Sequence, residues 1–105
     1  MANSQYELLL ALHLKELGLE FVQEYRFCSN RKFRADFFVP DNLLIEINGG
    51  VWTSGRHNRG QGYINDLEKI NLAQSLGFVV LQFTTDQVSD GNAKEYIKNY
   101  LKERR

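Results

Sequence analysis

Two carboxylates, Asp36 and Glu46, sit in the stretch Arg34 to Asn48, which reads RADFFVPDNLLIEIN. Two runs rich in Phe, Val, Leu and Ile are separated by Pro40-Asp41-Asn42, residues that break a ladder and turn the chain, so the stretch predicts a β-hairpin. With Asp41 at the centre of the turn, antiparallel partners have numbers that sum to about twice 41. Asp36 then faces Glu46 and Arg34 faces Asn48, all on one side of the ribbon. Opposed side chains in such a pair sit roughly 4.5–5.5 Å apart at Cβ, where like charges repel. A hard divalent cation such as Mg²⁺ relieves that repulsion, because it takes carboxylate oxygens and often needs only one or two from the protein. Two plainer readings stand beside it: both acids are solvated strand residues, or Arg34 neutralises them in a surface ion pair. Position favours the metal seat, since Glu46 interrupts the nearly apolar run Leu43-Leu44-Ile45-Glu46-Ile47 and a buried carboxylate needs a partner.

The surrounding elements must hold that hairpin. Ser4 and Glu7 have the spacing of a capping box, which starts a helix at about Ser4; the alternative is that Glu7 points toward the acidic pair. Tyr6, Leu9, Leu10, His13, Leu14 and Leu17 form one buried face, Leu8 and Leu12 widen it, and Gly18 closes the helix. Leu19 to Cys28 predicts a strand, turned by Ser29-Asn30-Arg31 into the hairpin to make a three-stranded meander. From about Tyr63 to Leu76 a second helix carries Tyr63, Leu67, Ile70 and Ala73 inward and ends at Gly77. On it, Lys69 either pairs with Asp66 at the surface or reaches back across the strands to the acids. Phe78-Val79-Val80-Leu81-Gln82-Phe83 follows directly, which predicts a right-handed crossover to a parallel strand inside the sheet. A last helix from about Asn92 turns Ala93, Tyr96, Ile97, Tyr100 and Leu101 inward, and the basic residues of Lys98 to Arg105 suit its negative end. This order implies an α/β fold, a mixed central sheet flanked by helices on both faces.

Between the hairpin and the second helix, glycines at 49, 50, 55, 60 and 62 make regular structure improbable. Trp52, Arg56, His57, Asn58 and Arg59 lie within that loop and suit base stacking and phosphate contact; the alternative is a linker with solvating charges. The whole chain, 105 residues with 43% hydrophobic and 25% charged, fits one globular domain over 1–105. Lys plus Arg equals Asp plus Glu at 13 each, so net charge advertises neither a nucleic-acid nor a membrane partner. Basic residues nevertheless gather at Arg26 to Arg34, at Arg56 to Arg59 and after Lys98, which allows one basic face. The single cysteine, Cys28, excludes an internal disulfide, and with two histidines there is no zinc-ligand set. Without a signal peptide or an apolar run of membrane-spanning length, a cytoplasmic protein with no membrane partner is expected.

An acid on one hairpin strand, and a second on the next strand followed by any residue and a polar one, resembles the PD-(D/E)XK nuclease superfamily, which has this same order of elements. Asp36 matches the first acid and Glu46 the second. The run Ile45-Glu46-Ile47-Asn48-Gly49-Gly50, the later Asp66-x-x-Lys69 and the closing Gly77-Phe78-Val79-Val80-Leu81-Gln82-Phe83 look like the branch holding the very short patch repair endonucleases and related small, often phage-encoded, enzymes. One departure is Asn48, which stands where that family usually has lysine and cannot carry positive charge; Lys69 is the candidate to replace it.

The resemblance implies a restriction-endonuclease-like αβββαβα core and hydrolysis of phosphodiester bonds in DNA. Asp36, Glu46 and the Ile47 carbonyl are then expected to hold Mg²⁺, for which Mn²⁺ substitutes, so that water is activated and the phosphate polarised. Lys69 orients the water or stabilises charge, Asn48 hydrogen-bonds it, and His57 or Arg56 contacts the phosphate or the leaving group. Arg34, Trp52, Arg56, Asn58 and Arg59 are the expected nucleic-acid contacts. The competing expectation is a catalytically weak or inactive nucleic-acid-binding module of the same fold, and either a monomer or a homodimer is compatible. An HNH-type nuclease is disfavoured, since His13 lies on a helix and His57 has no second histidine nearby.

Overall fold

Phe37 pairs with Ile45, Phe38 with Leu44 and Val39 with Leu43, numbers that sum to twice 41, as the turn at 40–42 requires. These rungs belong to a computed structural model that describes residues 4–48 and 61–103. Its elements are α1 (Ser4–Glu16), β1 (Val22–Arg26), β2 (Arg34–Val39), β3 (Leu43–Asn48), α2 (Gln61–Ser75), β4 (Val79–Thr84), α3 (Thr85–Ser89) and α4 (Asn92–Glu103). The strands form one sheet in the order β1-β2-β3-β4, antiparallel across the first two joints and parallel between β3 and β4. The α/β expectation holds, with helices on both faces.

Alternation along β3 divides the core. Ile45 and Ile47 turn to one side, where they meet Leu10 and Leu14 of α1, Val88 of α3 and Ile97 of α4; Phe37 and Val39 of β2 join them. Leu44 turns to the other side and packs with Phe27, Ala35 and Ala73 of α2. That second layer is largely aromatic: Tyr25 stacks on Phe38 at 4.4 Å between centroids, and Phe78 meets both rings edge-on. Burying a side chain such as Phe37 or Leu10 contributes about 1.5–3 kcal/mol, so each face of β2 and β3 is anchored independently.

Glycines close two helices as expected. Gly18 has φ 75° after α1, and amides of Gly18 and Leu19 reach back to Lys15 and Leu14 carbonyls at 2.9 and 3.1 Å. Gly77, at φ 95°, and Phe78 repeat the motif after α2, both at 3.0 Å. Three expectations fail. Among the described residues the parallel strand β4 pairs with β3 alone and so lies at the sheet edge, not inside it. Leu8 and Leu12 of α1 are 71% and 52% exposed, so that helix is covered on one side only, and Leu67 of α2 is also exposed. The short α3 has no counterpart in the sequence reading; Thr84 and Gln87 cap it with reciprocal side-chain to backbone bonds of 3.1 and 2.9 Å. No described helix is long and apolar enough to cross a membrane.

Candidate functional site

The two strands of the β1–β2 ladder kink at the same rung. Phe37 and Val39 pack toward α1, whereas Ala35 and Phe38 pack toward α2, so the period-two alternation of β2 breaks at Asp36. Phe21, directly before β1, lies on the α1 side and Tyr25 of β1 on the α2 side. Glu24 between them has φ 55°, a left-handed conformation that costs a non-glycine residue about 1–2 kcal/mol. Pairing continues on either side, Gln23 with Phe37 and Tyr25 with Ala35, which leaves Glu24 and Asp36 across from one another at the break. Such irregularities re-aim side chains, and backbone strain of this kind concentrates at functional sites.

The kink frees the Asp36 carboxylate from the strand's own alternation. Its Oδ2 accepts a hydrogen bond from the Ile47 amide at 2.8 Å, which fixes it against β3. Glu7 of α1 reaches the same place from the covering helix. Carboxylate oxygens of Glu7, Glu24 and Asp36 all lie within 4.8 Å of one another. Arg34 approaches Glu24 from β2, with Nη1 3.5 Å from Oε1. Burial, then the negative charge of Asp36 and of Glu24, then hydrogen bonds with both, push the Glu7 carboxyl up to about 7. A neutral Glu7 has one O–H, which it can donate to one of its two carboxylate neighbours, and a cation can replace that proton. Three hard oxygen donors converging from two strands and a helix match what Mg²⁺, Mn²⁺ or Ca²⁺ takes, and they are unsuited to a soft metal.

Glu46 keeps different company. It is 8% exposed, its Oε2 forms an ion pair with Lys69 Nζ, and its Oε1 accepts from Gln82 Nε2 at 3.3 Å. Phe27, Leu44, Ile70, Ala73 and Val80 surround the pair, leaving a cavity of only about 10 Å³. Asp36 is therefore engaged with α1 and Glu46 with α2, from opposite faces of the sheet. The hairpin register expected from the turn is present, but the kink at Asp36 separates the partners of the two acids. Lys69 pairs with Glu46 and not with Asp66.

The remaining expected site residues are dispersed. Ile47 meets Asp36 through its amide. Asn48 is exposed at the end of β3, in register with Thr84 of β4. His57, Trp52, Arg56, Asn58 and Arg59 fall outside the described residues. His13 is half-buried on α1, and its Nδ1 finds no hydrogen-bond partner among the described residues. Sequence reasoning passed over Glu24 altogether and favoured a capping role for Glu7. The Ser-x-x-Glu spacing is identical in either case, and nothing in a sequence marks a glutamate with positive φ.

No protein-family model matches this chain, and no curated protein matches it. Among solved structures, the catalytic domain of the homing endonuclease I-Bth0305I shares its fold, with a TM-score of 0.71 over 90% of this chain and 91% of that one, at 22% sequence identity.

Proposed function

We propose that this chain is a metal-dependent DNA endonuclease or nickase, a single catalytic unit in which Glu7, Glu24 and Asp36 hold a divalent cation. The observation that carries the reading is the convergence of those three carboxylates in a chain whose fold resembles a homing endonuclease catalytic domain. The PD-(D/E)XK-like assignment keeps Asp36 as the first acid. Glu46, buried against Lys69, becomes the residue that locks α2 to β3 and thereby the floor of the site.

A cation bound there, Mg²⁺ or Mn²⁺, supplies Lewis acidity toward the phosphate and lowers the pKa of an attacking water. The chain's own residues do the rest. Ile47 donates its amide to Asp36 and so holds that carboxylate oriented before any ligand arrives. Arg34 holds Glu24 and offsets part of the local negative charge, which otherwise repels a phosphodiester. Glu7, whose carboxyl lies near neutrality, gives up its proton as positive charge enters. Asn48, the last residue of β3, and His57, Arg56, Asn58, Arg59 and Trp52, which follow it in the sequence, are assigned to phosphate and base contacts on residue type.

A second reading, a nucleic-acid-binding module with little or no catalysis, is favoured by Asn48 in the place of a lysine and by the engagement of Lys69 with Glu46. Supercoiled plasmid separates the two. The endonuclease reading expects nicked or linear product with Mg²⁺ or Mn²⁺, none with chelator, and a rate roughly 10³-fold lower for Asp36→Asn, because losing a ligand forfeits several kcal/mol of charge stabilisation. Plasmid binding with no cleavage in either metal establishes the second reading instead.

A further inference from the structure

Four cations crowd the end of the β1–β2 ladder, and they are not equally occupied. Arg31 is taken by Glu68 at 3.3 Å and lies over the Phe33 ring at 4.4 Å. Arg34 leans on Glu24 at 3.5 Å. Arg26 and Lys32 make no ion pair among the described residues; Arg26 donates only to the Arg31 carbonyl, at 3.1 Å. Arg26 and Arg34 are also direct partners across the ladder, an arrangement in which like charges destabilise the sheet.

Charges on an edge strand such as β1 often serve only to discourage pairing with another chain. That role needs no concavity. Here Arg26, Lys32 and Arg34 line one open groove of about 280 Å³. The groove adjoins the acidic cluster, because Arg34 belongs to one and its partner Glu24 to the other. In a chain of zero net charge, two of the three cations that line this groove, Arg26 and Lys32, form no ion pair among the described residues. Guanidinium forks match pairs of phosphate oxygens, and a lysine adds a point charge that tolerates variation in position.

We propose that the groove lined by Arg26, Lys32 and Arg34 seats the phosphodiester backbone of the DNA strand next to the bond cut at the Glu7, Glu24 and Asp36 site. This rests on the endonuclease reading for the identity of the ligand, while Arg26 and Lys32 are positioning residues with no part in the chemistry. The groove sets register on the DNA without reading sequence.

The test is binding of a fluorescein-labelled DNA duplex by the full chain in chelator, over a salt series, comparing the unaltered protein with Arg26→Ala/Lys32→Ala. The expected result is about tenfold weaker binding and a salt slope shallower by about 1–2, since each phosphate contact contributes roughly 0.9 to that slope. Mn²⁺ affinity stays unchanged and the unfolding midpoint does not fall, since Arg26→Ala relieves the repulsion with Arg34, and Arg26→Lys/Lys32→Arg restores the slope. Equal affinity and slope in the double variant overturn the groove, even where plasmid cleavage upholds the endonuclease. The expected loss of binding in a protein that never cleaves plasmid upholds the groove and overturns the endonuclease. Absence of DNA binding by the unaltered protein in chelator overturns the groove, whatever plasmid cleavage shows.

Discussion

At the scale of single residues, Glu7 links the candidate site to pH. Its carboxyl rises from 4.5 to about 7 through burial first and then through Asp36 and Glu24, so the folded protein holds a proton that the unfolded chain has lost. The corresponding stability is fully present below 4.5 and disappears as pH rises through about 7. In metal-free urea titrations between pH 5 and pH 8, the unaltered protein is expected to lose stability relative to Glu7→Gln as pH increases; parallel curves contradict this. The same linkage predicts that Mn²⁺ binding at pH 6 releases a proton, seen in calorimetry as a heat that depends on the buffer's ionisation enthalpy, and that Glu7→Gln abolishes that dependence. Asp36 was legible from the sequence because turn residues fix a hairpin register. Glu24 was not, because its role follows from a backbone conformation that its side chain does nothing to favour.

Between elements, the pair of buried Glu46 and half-buried Lys69 joins α2 to β3, with Gln82 of β4 as a third member. The sequence suggested this contact, since a lone carboxylate in the apolar run Leu43 to Ile47 requires a partner. It did not say that the partner would be a lysine instead of a metal. Lys69→Met leaves the Glu46 carboxylate with Gln82 as its remaining partner, so a loss of about 1–3 kcal/mol is expected in urea unfolding. Lys69→Met/Glu46→Gln, which removes both charges, is expected to recover most of that loss; an additive double variant contradicts a coupled pair. The capping box of α3 was written in Thr84-x-x-Gln87, yet five residues are too few for a helical period to be recognised.

For the molecule as a whole, the order of elements sufficed for an α/β sheet with helices on both faces, because apolar runs, glycine stops and crossover handedness leave few alternatives. Strand order within that sheet was less legible. Phe78 to Phe83 is as apolar as an interior strand, but its apolar residues are spent on covering helices and on aromatic packing, while among the described residues no strand pairs with its outer edge. Zero net charge confines attraction for DNA to local patches. The salt slope for duplex binding is therefore expected to be no steeper than about −4, the equivalent of about four phosphate contacts; a slope of about −10, as a repressor with many phosphate contacts shows, contradicts it. The cation seat itself is tested most directly by anomalous diffraction from crystals soaked in Mn²⁺. A single strong peak among the Glu7, Glu24 and Asp36 carboxylates, lost in Asp36→Asn, is the predicted result. A peak at Glu46, or an empty acidic cluster in crystals of protein that cleaves DNA, contradicts the account.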